Sequence, residues 1–258
     1  MPKILLLTRY ERLGASSRVR FLQFLPALQR QGFEFDVDPL LDNAHVRALY
    51  GGPPVGVSHY AGAYARRLRA LLRRRRYDLI WLEKEALPWL PATVEALLTG
   101  GLPVVVDFDD AWFLRYERNA NPLIRHLMSG KIDAVMRAAT IVVAGNDFIA
   151  ERARQAGARR IEIVPSVIDL DRYPPPAAAL PVDQRPVVAG WIGIPLNAHY
   201  LEALAGASAP TMCKRTRSRR FLGPNRAKSA ASAPLTSDSC RSTTRRGSAA
   251  SAPTSCCR

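Results

Sequence analysis

Residues 3–37, KILLLTRYERLGASSRVRFLQFLPALQRQGFEFDV, set the fold. Lys3-Ile-Leu-Leu-Leu-Thr8 is a short apolar run without polar alternation, the pattern of a parallel strand covered on both faces. A loop follows, Arg9 to Ser17, and then a helix over about Arg18–Gln31 with Val19, Leu22, Leu25 and Leu28 on one side. Gly32 stops that helix, and Phe33-Glu-Phe-Asp-Val37 opens the next strand, so the unit is strand, loop, helix, strand.

The same alternation runs on. Strands are expected at 78–82, 103–107, 140–144 and 160–164, and helices over about 59–76, 92–98, 122–138 and 147–156. Strand and helix trade places six times, which predicts an α/β fold with a doubly wound parallel sheet. Ligands of such sheets bind at the carboxyl ends of the strands. The loops after Thr8, Leu82, Asp107 and Ala144 are therefore the ones to search.

Composition changes sharply after residue 206. Residues 207–258 hold 11 Lys/Arg and a single acid, Asp238, which leaves 26 basic and 21 acidic residues for 1–206. All four cysteines, Cys213, Cys240, Cys256 and Cys257, also fall there, so residues 1–206 suit a reducing cytoplasm. The apolar run after Met1-Pro-Lys3 is too short for a secretory signal. No later window approaches the roughly 18 apolar residues of a membrane span. A cytoplasmic location follows, with room for peripheral contact to the inner face of an anionic membrane. Prolines 174, 175, 176 and 181, between Pro165 and Pro186, mark a linker. The expected boundaries are 1–165 for the first domain, 166–186 for the linker, 187–206 for the first strand and helix of a second domain, and 207–258 for a tail without structural period.

Several stretches carry chemistry. Gly14-Ala-Ser16-Ser17-Arg18 lies between the first strand and helix, where backbone N–H groups, hydroxyls and a guanidinium can hold an anion. The plainer reading is a capped helix start with Ser16 or Ser17 as N-cap. Asp107-Phe-Asp109-Asp110 ends a strand and turns carboxylates toward the cleft. A metal site on Asp107 and Asp109, a cleft acid that meets sugar hydroxyls or moves a proton, and simple capping all fit that pattern. Trp191-Ile-Gly193-Ile-Pro-Leu-Asn197 repeats the strand, glycine, helix logic and could cradle a diphosphate, or be a plain turn. Arg73 to Arg76 end a helix, where cations complement the dipole; contact with an anionic membrane or polyanion is the other reading. His45, His59, His126 and His199 lack ligand spacing, and no GxSxG elbow or Cys–His pair occurs, so hydrolase and zinc chemistry have little support.

With these pieces in order, residues 1–206 resemble the GT-B glycosyltransferases of the family-4 type. The resemblance is carried as a set by LLLTRYERLGASSRVRFLQFLPAL, VVVDFDDAWF, IEIVPSVIDLDRYPP and GWIGIPLNAHYLEAL. It implies two Rossmann-like domains facing a cleft, an acceptor side first and a nucleotide-sugar side second. It also implies retention at the anomeric carbon and no catalytic metal or other cofactor, the nucleotide sugar being a substrate. In that frame Asp109 and Asp110 meet the reacting hydroxyls. Gly14, Ser16, Ser17 and Arg18 line the cleft near phosphates or acceptor, and Gly193 and Asn197 begin the donor cradle. The expected partners are a nucleotide sugar and a glycan or lipid-linked acceptor, with no specific nucleic acid.

The tail departs from that family, yet its codons constrain another reading. Shifted by one frame, codons admissible for Ala250 to Arg258 spell KCAYKLLQ, and those for Pro234 to Ala250 admit ADIGLMPLDDSPWERGK. Joined, they resemble the donor-binding segment of the same family. The expectation is a frameshift near residue 206 and a product with little or no activity. Two other functions remain open on the residues alone. A basic nucleic-acid-binding protein would bind through 207–258 with steep salt dependence, and a non-catalytic sugar or nucleotide module would bind through 1–206 without turnover.

Overall fold

The computed structural model of the chain describes residues 1–170. The linker beyond residue 170, the strand and helix expected over 187–206, and the tail 207–258 lie outside the described residues.

Among the described residues six strands form one wholly parallel sheet: β1 (Lys3–Tyr10), β2 (Glu34–Leu41), β3 (Leu79–Glu83), β4 (Val104–Phe108), β5 (Ile141–Ala144) and β6 (Ile161–Ile163). Their order is β2-β1-β3-β4-β5-β6, the Rossmann-like doubly wound arrangement expected from the sequence. The chain passes from β1 outward to β2, then crosses back to place β3 on the other side of β1. That reversal opens a crevice at the carboxyl ends of β1 and β3. The run Ile4 to Leu7 is buried, as a central parallel strand demands. Leu5 and Leu7 pack with Ile80, Leu82, Val106, Phe108 and Val142 into the main core.

The helices are α1 (Ala15–Ser17), α2 (Leu25–Arg30), α3 (Asn43–Leu49), α4 (Val57–Leu72), α5 (Ala92–Thr99), α6 (Leu114–Glu117), α7 (Pro122–Met128), α8 (Lys131–Ala138) and α9 (Asp147–Gln155). Three expectations are corrected. The helix expected over 18–31 is broken into α1, a π turn at Arg18–Leu22 and α2. Gln23 N–H reaches Arg18 O at 3.0 Å, five residues back, and Pro26 has no N–H to carry an α-helical ladder through. The wider turn also rotates the buried side. Ser17, Arg20 and Phe21 are buried in this stretch, whereas Val19, Leu22, Leu25 and Leu28 are only partly covered.

The helix expected over 122–138 divides at Ser129-Gly130 into α7 and α8. Gly130 is the weakest helix former in the interior of the stretch, and the break lets Lys131 turn its ammonium inward to Leu87 O at 2.6 Å. β1 runs two residues past Thr8 and pairs Tyr10 with Leu41, while β2 continues through Pro39. β2 is an edge strand, where proline is tolerated, and its alternating acids Glu34, Asp36 and Asp38 hide its length from a search for apolar runs.

One buried cation ties the strand ends together. Arg67 of α4, 1% exposed, donates to the Asp38 carboxylate at 2.6 Å, to Thr8 O at 2.6 Å and to Asp38 O at 2.7 Å. Burial depresses its pKa and Asp38 opposes that, so the pair holds β1 and β2 in register just below the crevice.

Candidate active site

The crevice is built on a close approach. A Cβ at Gly14 would sit 2.3 Å from Tyr10 Cβ, so only glycine lets the loop after β1 fold back across Tyr10. That fold sets the two serines over the neighbouring strand ends. Ser17 Oγ donates to Glu83 Oε2 at 2.6 Å and accepts from Tyr10 N–H at 3.0 Å. Arg9 N–H donates to the same Glu83 oxygen at 2.8 Å. Among the described residues Glu83 Oε1 is buried with no partner.

Ser16 Oγ donates to Asp109 Oδ2 at 2.5 Å. Lys84 Nζ stands 2.9 Å from Asp109 Oδ1 and 2.9 Å from Asp110 Oδ2. Lys84 reaches there from a left-handed backbone, φ 64°, which a lysine adopts at a cost of order 1–3 kcal/mol. The site keeps the strain because the ammonium bridges two carboxylates. Burial works against the charge on Lys84, but Asp110 and Asp109 outweigh it and hold its pKa above the ordinary value. Burial likewise opposes the Asp109 anion, and Lys84 and the Ser16 hydroxyl hold that carboxyl below the usual range. Asp109 is thus an ionised, oriented acid. Asp110 is the more open of the two, its side chain 56% exposed against 20% for Asp109.

Asp107 points elsewhere. Its Oδ1 accepts from Arg20 Nε at 2.9 Å, with Arg20 Nη2 also 2.9 Å away, and both side chains are 4% exposed. Burial raises Asp107 to about 7 against the pull of Arg20, helped by the Asp109 and Glu83 charges. Asp107 and Asp109 therefore do not share a ligand. Among the described residues no group of three or more His, Cys, Asp or Glu is placed to hold a metal ion.

The structure brings Gly14, Ser16, Ser17, Asp109 and Asp110 to one end of the sheet. Neither serine caps through its side chain: Gly14 is the N-cap of α1, and Ser17, which precedes the π turn, makes no side-chain cap bond. The hydroxyls donate to Glu83 and Asp109 instead, charge-assisted bonds that a helix start, which presents only N–H donors, cannot offer. Arg18 folds onto Arg12 O at 3.1 Å, and Arg20 takes the buried place on that helix. Gly193 and Asn197 lie outside the described residues.

Beside the aspartates lies a further buried acid. Glu85, 3% exposed, accepts from Trp112 Nε1 and Tyr116 OH, both at 2.7 Å, and pairs with Lys131 at 2.6 Å. Burial and the Glu85 charge push the Tyr116 hydroxyl far above its ordinary range, so it remains a donor. Sequence reasoning missed Glu83, Lys84, Glu85 and Arg20. The signal for the first three was a charged triplet directly after the apolar run of β3, at the end where ligands bind.

The sequence profile of Glycosyltransferase Family 4 matches residues 17–172, more than half of the chain. The chain belongs to that family. The matched span includes β3, β4 and the Asp109–Asp110 corner that faces Lys84. Among solved structures, Anabaena Alr3699/HepE in complex with UDP-glucose is similar at 19% identity and a TM-score of 0.46, over 69% of this chain and 47% of that one. The chain thus spans about half the length of that structure. No curated protein matches the chain.

Proposed function

We propose that this chain is the acceptor-side half of a GT-B glycosyltransferase, whose complete form moves a sugar from a nucleotide-sugar donor to an acceptor hydroxyl in glycan or polysaccharide synthesis. Membership of the family over residues 17–172 carries the reading. In it, Asp109, fixed between Ser16 and Lys84, and Asp110, open to solvent, accept hydrogen bonds from acceptor hydroxyls and help take up the proton released on transfer. Gly14 shapes the loop, Ser16 and Ser17 hold its position, and Arg18, which opens the π turn, meets the anion. Gly193 and Asn197 open the donor cradle, and no cofactor is called for.

Residues 207–258 are the out-of-frame reading of the rest of the donor domain, so the 258-residue product transfers little or no sugar. The test is to restore the frame near codon 206 and measure nucleoside diphosphate release with a panel of nucleotide sugars. Release that depends on acceptor supports the reading. A shifted frame that runs into early stop codons would sink it.

Peripheral attachment to an anionic membrane is part of the same proposal. Val57, Ala61, Ala65, Leu68 and Leu72 form an exposed stripe on α4, flanked by Arg66, Arg69 and Arg73. Sedimentation with vesicles is expected to require anionic lipid and to weaken when Leu68 and Leu72 are replaced by serine. Among the described residues no helix is long and apolar enough to cross a membrane.

A further inference from the structure

Three cations surround the indole of Trp112. The Arg9 guanidinium lies 4.3 Å from the ring centre, the Lys84 ammonium 4.6 Å and the Arg115 guanidinium 4.8 Å. Two of them have acids: Lys84 holds Asp109 and Asp110, and Arg9 stands 3.9 Å from Glu85. Arg115 differs. Among the described residues its guanidinium meets no carboxylate or carbonyl at bonding distance and is held by two rings, Trp112 and Trp89, each 4.8 Å away.

Those rings are fixed from below. Glu85 takes the Trp112 N–H and the Tyr116 hydroxyl, and Tyr116 in turn accepts from the Trp89 backbone N–H at 3.1 Å and packs edge-on to its indole at 5.4 Å. Trp89 adopts φ 64°, an unfavourable backbone for an aromatic residue, yet its side chain is left open, at 43% exposure for the residue. Core packing gives no reason for that combination. A strained, exposed indole beside an unpaired guanidinium is what a binding surface requires. Partial desolvation of the guanidinium and the nearby Arg9 charge depress the Arg115 pKa, and a bound anion would offset both.

We propose that Trp89 and Arg115, the guanidinium held by Trp112, form a subsite for a sugar that carries an oxyanion, with the exposed Trp89 indole on the ring face and the guanidinium forked onto phosphate or carboxylate. Lys84 links this surface to Asp109 and Asp110, so the subsite extends the acceptor cleft and rests on the reading of that cleft as an acceptor site.

The test is intrinsic fluorescence of the full chain, titrated with glucose 6-phosphate, glucuronate, glucose and inorganic phosphate. Saturable changes are expected with one or both charged sugars, and which one binds more tightly tells phosphate from carboxylate. Glucose and inorganic phosphate, each with half of the recognition, bind more weakly. Arg115→Gln is expected to weaken the charged sugar by about tenfold or more and leave glucose unchanged, with Arg115→Lys restoring part of the loss. Arg115 is exposed, so unchanged circular dichroism will show that the variants fold. Wild-type affinity of Arg115→Gln for the charged sugar overturns the subsite. If that binding is nonetheless lost in Asp110→Asn, the acceptor cleft stands without it. If no sugar, charged or neutral, perturbs the spectrum, both readings fall. Inorganic phosphate binding as tightly as glucose 6-phosphate overturns the role of the Trp89 indole.

Discussion

Replacing Arg20 by Gln tests whether the buried pair behind the cleft organises this end of the sheet. Arg20 gives Asp107 two close nitrogens, each 2.9 Å from Oδ1, and also donates to Val164 O at 2.6 Å. Removing one partner of such a pair leaves an uncompensated charge and costs about 3–5 kcal/mol when the acid is ionised. With Arg20 present Asp107 already titrates near 7, above its ordinary 3.8. The folded state therefore binds the proton more tightly than the unfolded state, and Asp107 makes stability fall as pH rises from about 4 to about 7. Without Arg20 the folded pKa moves higher still, and the fall continues past 7. Below pH 6 both forms carry a neutral Asp107, so the variant loses only hydrogen bonds, about 1–2 kcal/mol. Above 7 the deficit opens by about 1.4 kcal/mol per pH unit until it reaches the full value. Urea unfolding followed by circular dichroism at pH 5.5 and 8.5 measures both limits. In an Asp107→Asn background the pH-dependent part should vanish. An equal deficit at the two pH values, or a loss under about 1 kcal/mol at pH 8.5, would refute the reasoning.

Other changes probe the site itself. Gly14→Ala places a methyl carbon 2.3 Å from Tyr10 Cβ, so urea unfolding should show a loss of about 1–3 kcal/mol, and wild-type stability would mean the loop has another path. Lys84→Met removes the cation that holds Asp109 below the usual carboxylate range, so the Asp109 carboxyl signal in an NMR titration should move to higher pH. A depressed folded pKa stabilises above the unfolded value and is lost as pH falls through the folded one. The variant should therefore be less acid-sensitive than the parent, and an unmoved Asp109 would show that Ser16 alone sets its charge.

The sheet was legible because parallel strands are apolar on both faces. Ile4 to Leu7, Val104 to Val106 and Ile141 to Ala144 announce themselves without any knowledge of their neighbours. β2 was cut short because an edge strand leaves Glu34 and Asp36 exposed, while the third acid, Asp38, is buried only by virtue of its pairing with Arg67. The aspartates at the end of β4 were visible for the same reason as the strand they close. Their partners were not. Ser17 meets Glu83 across 66 positions and Arg20 meets Asp107 across 87, contacts that only the winding of the sheet creates. The π turn at Arg18–Leu22 changed which side of that helix is buried, and a helical period of 3.6 could not reveal Arg20 as the inward residue.

Sugar transfer decides the matter, measured as nucleoside diphosphate release with and without acceptor, for the 258-residue product and the frame-restored protein side by side. Acceptor-dependent release is expected from the restored protein, with a fall of about a hundredfold or more in Asp109→Asn, and no release above background from the 258-residue chain. Full transfer by the 258-residue chain, or a restored protein that transfers equally well without Asp109 and Asp110, would contradict it.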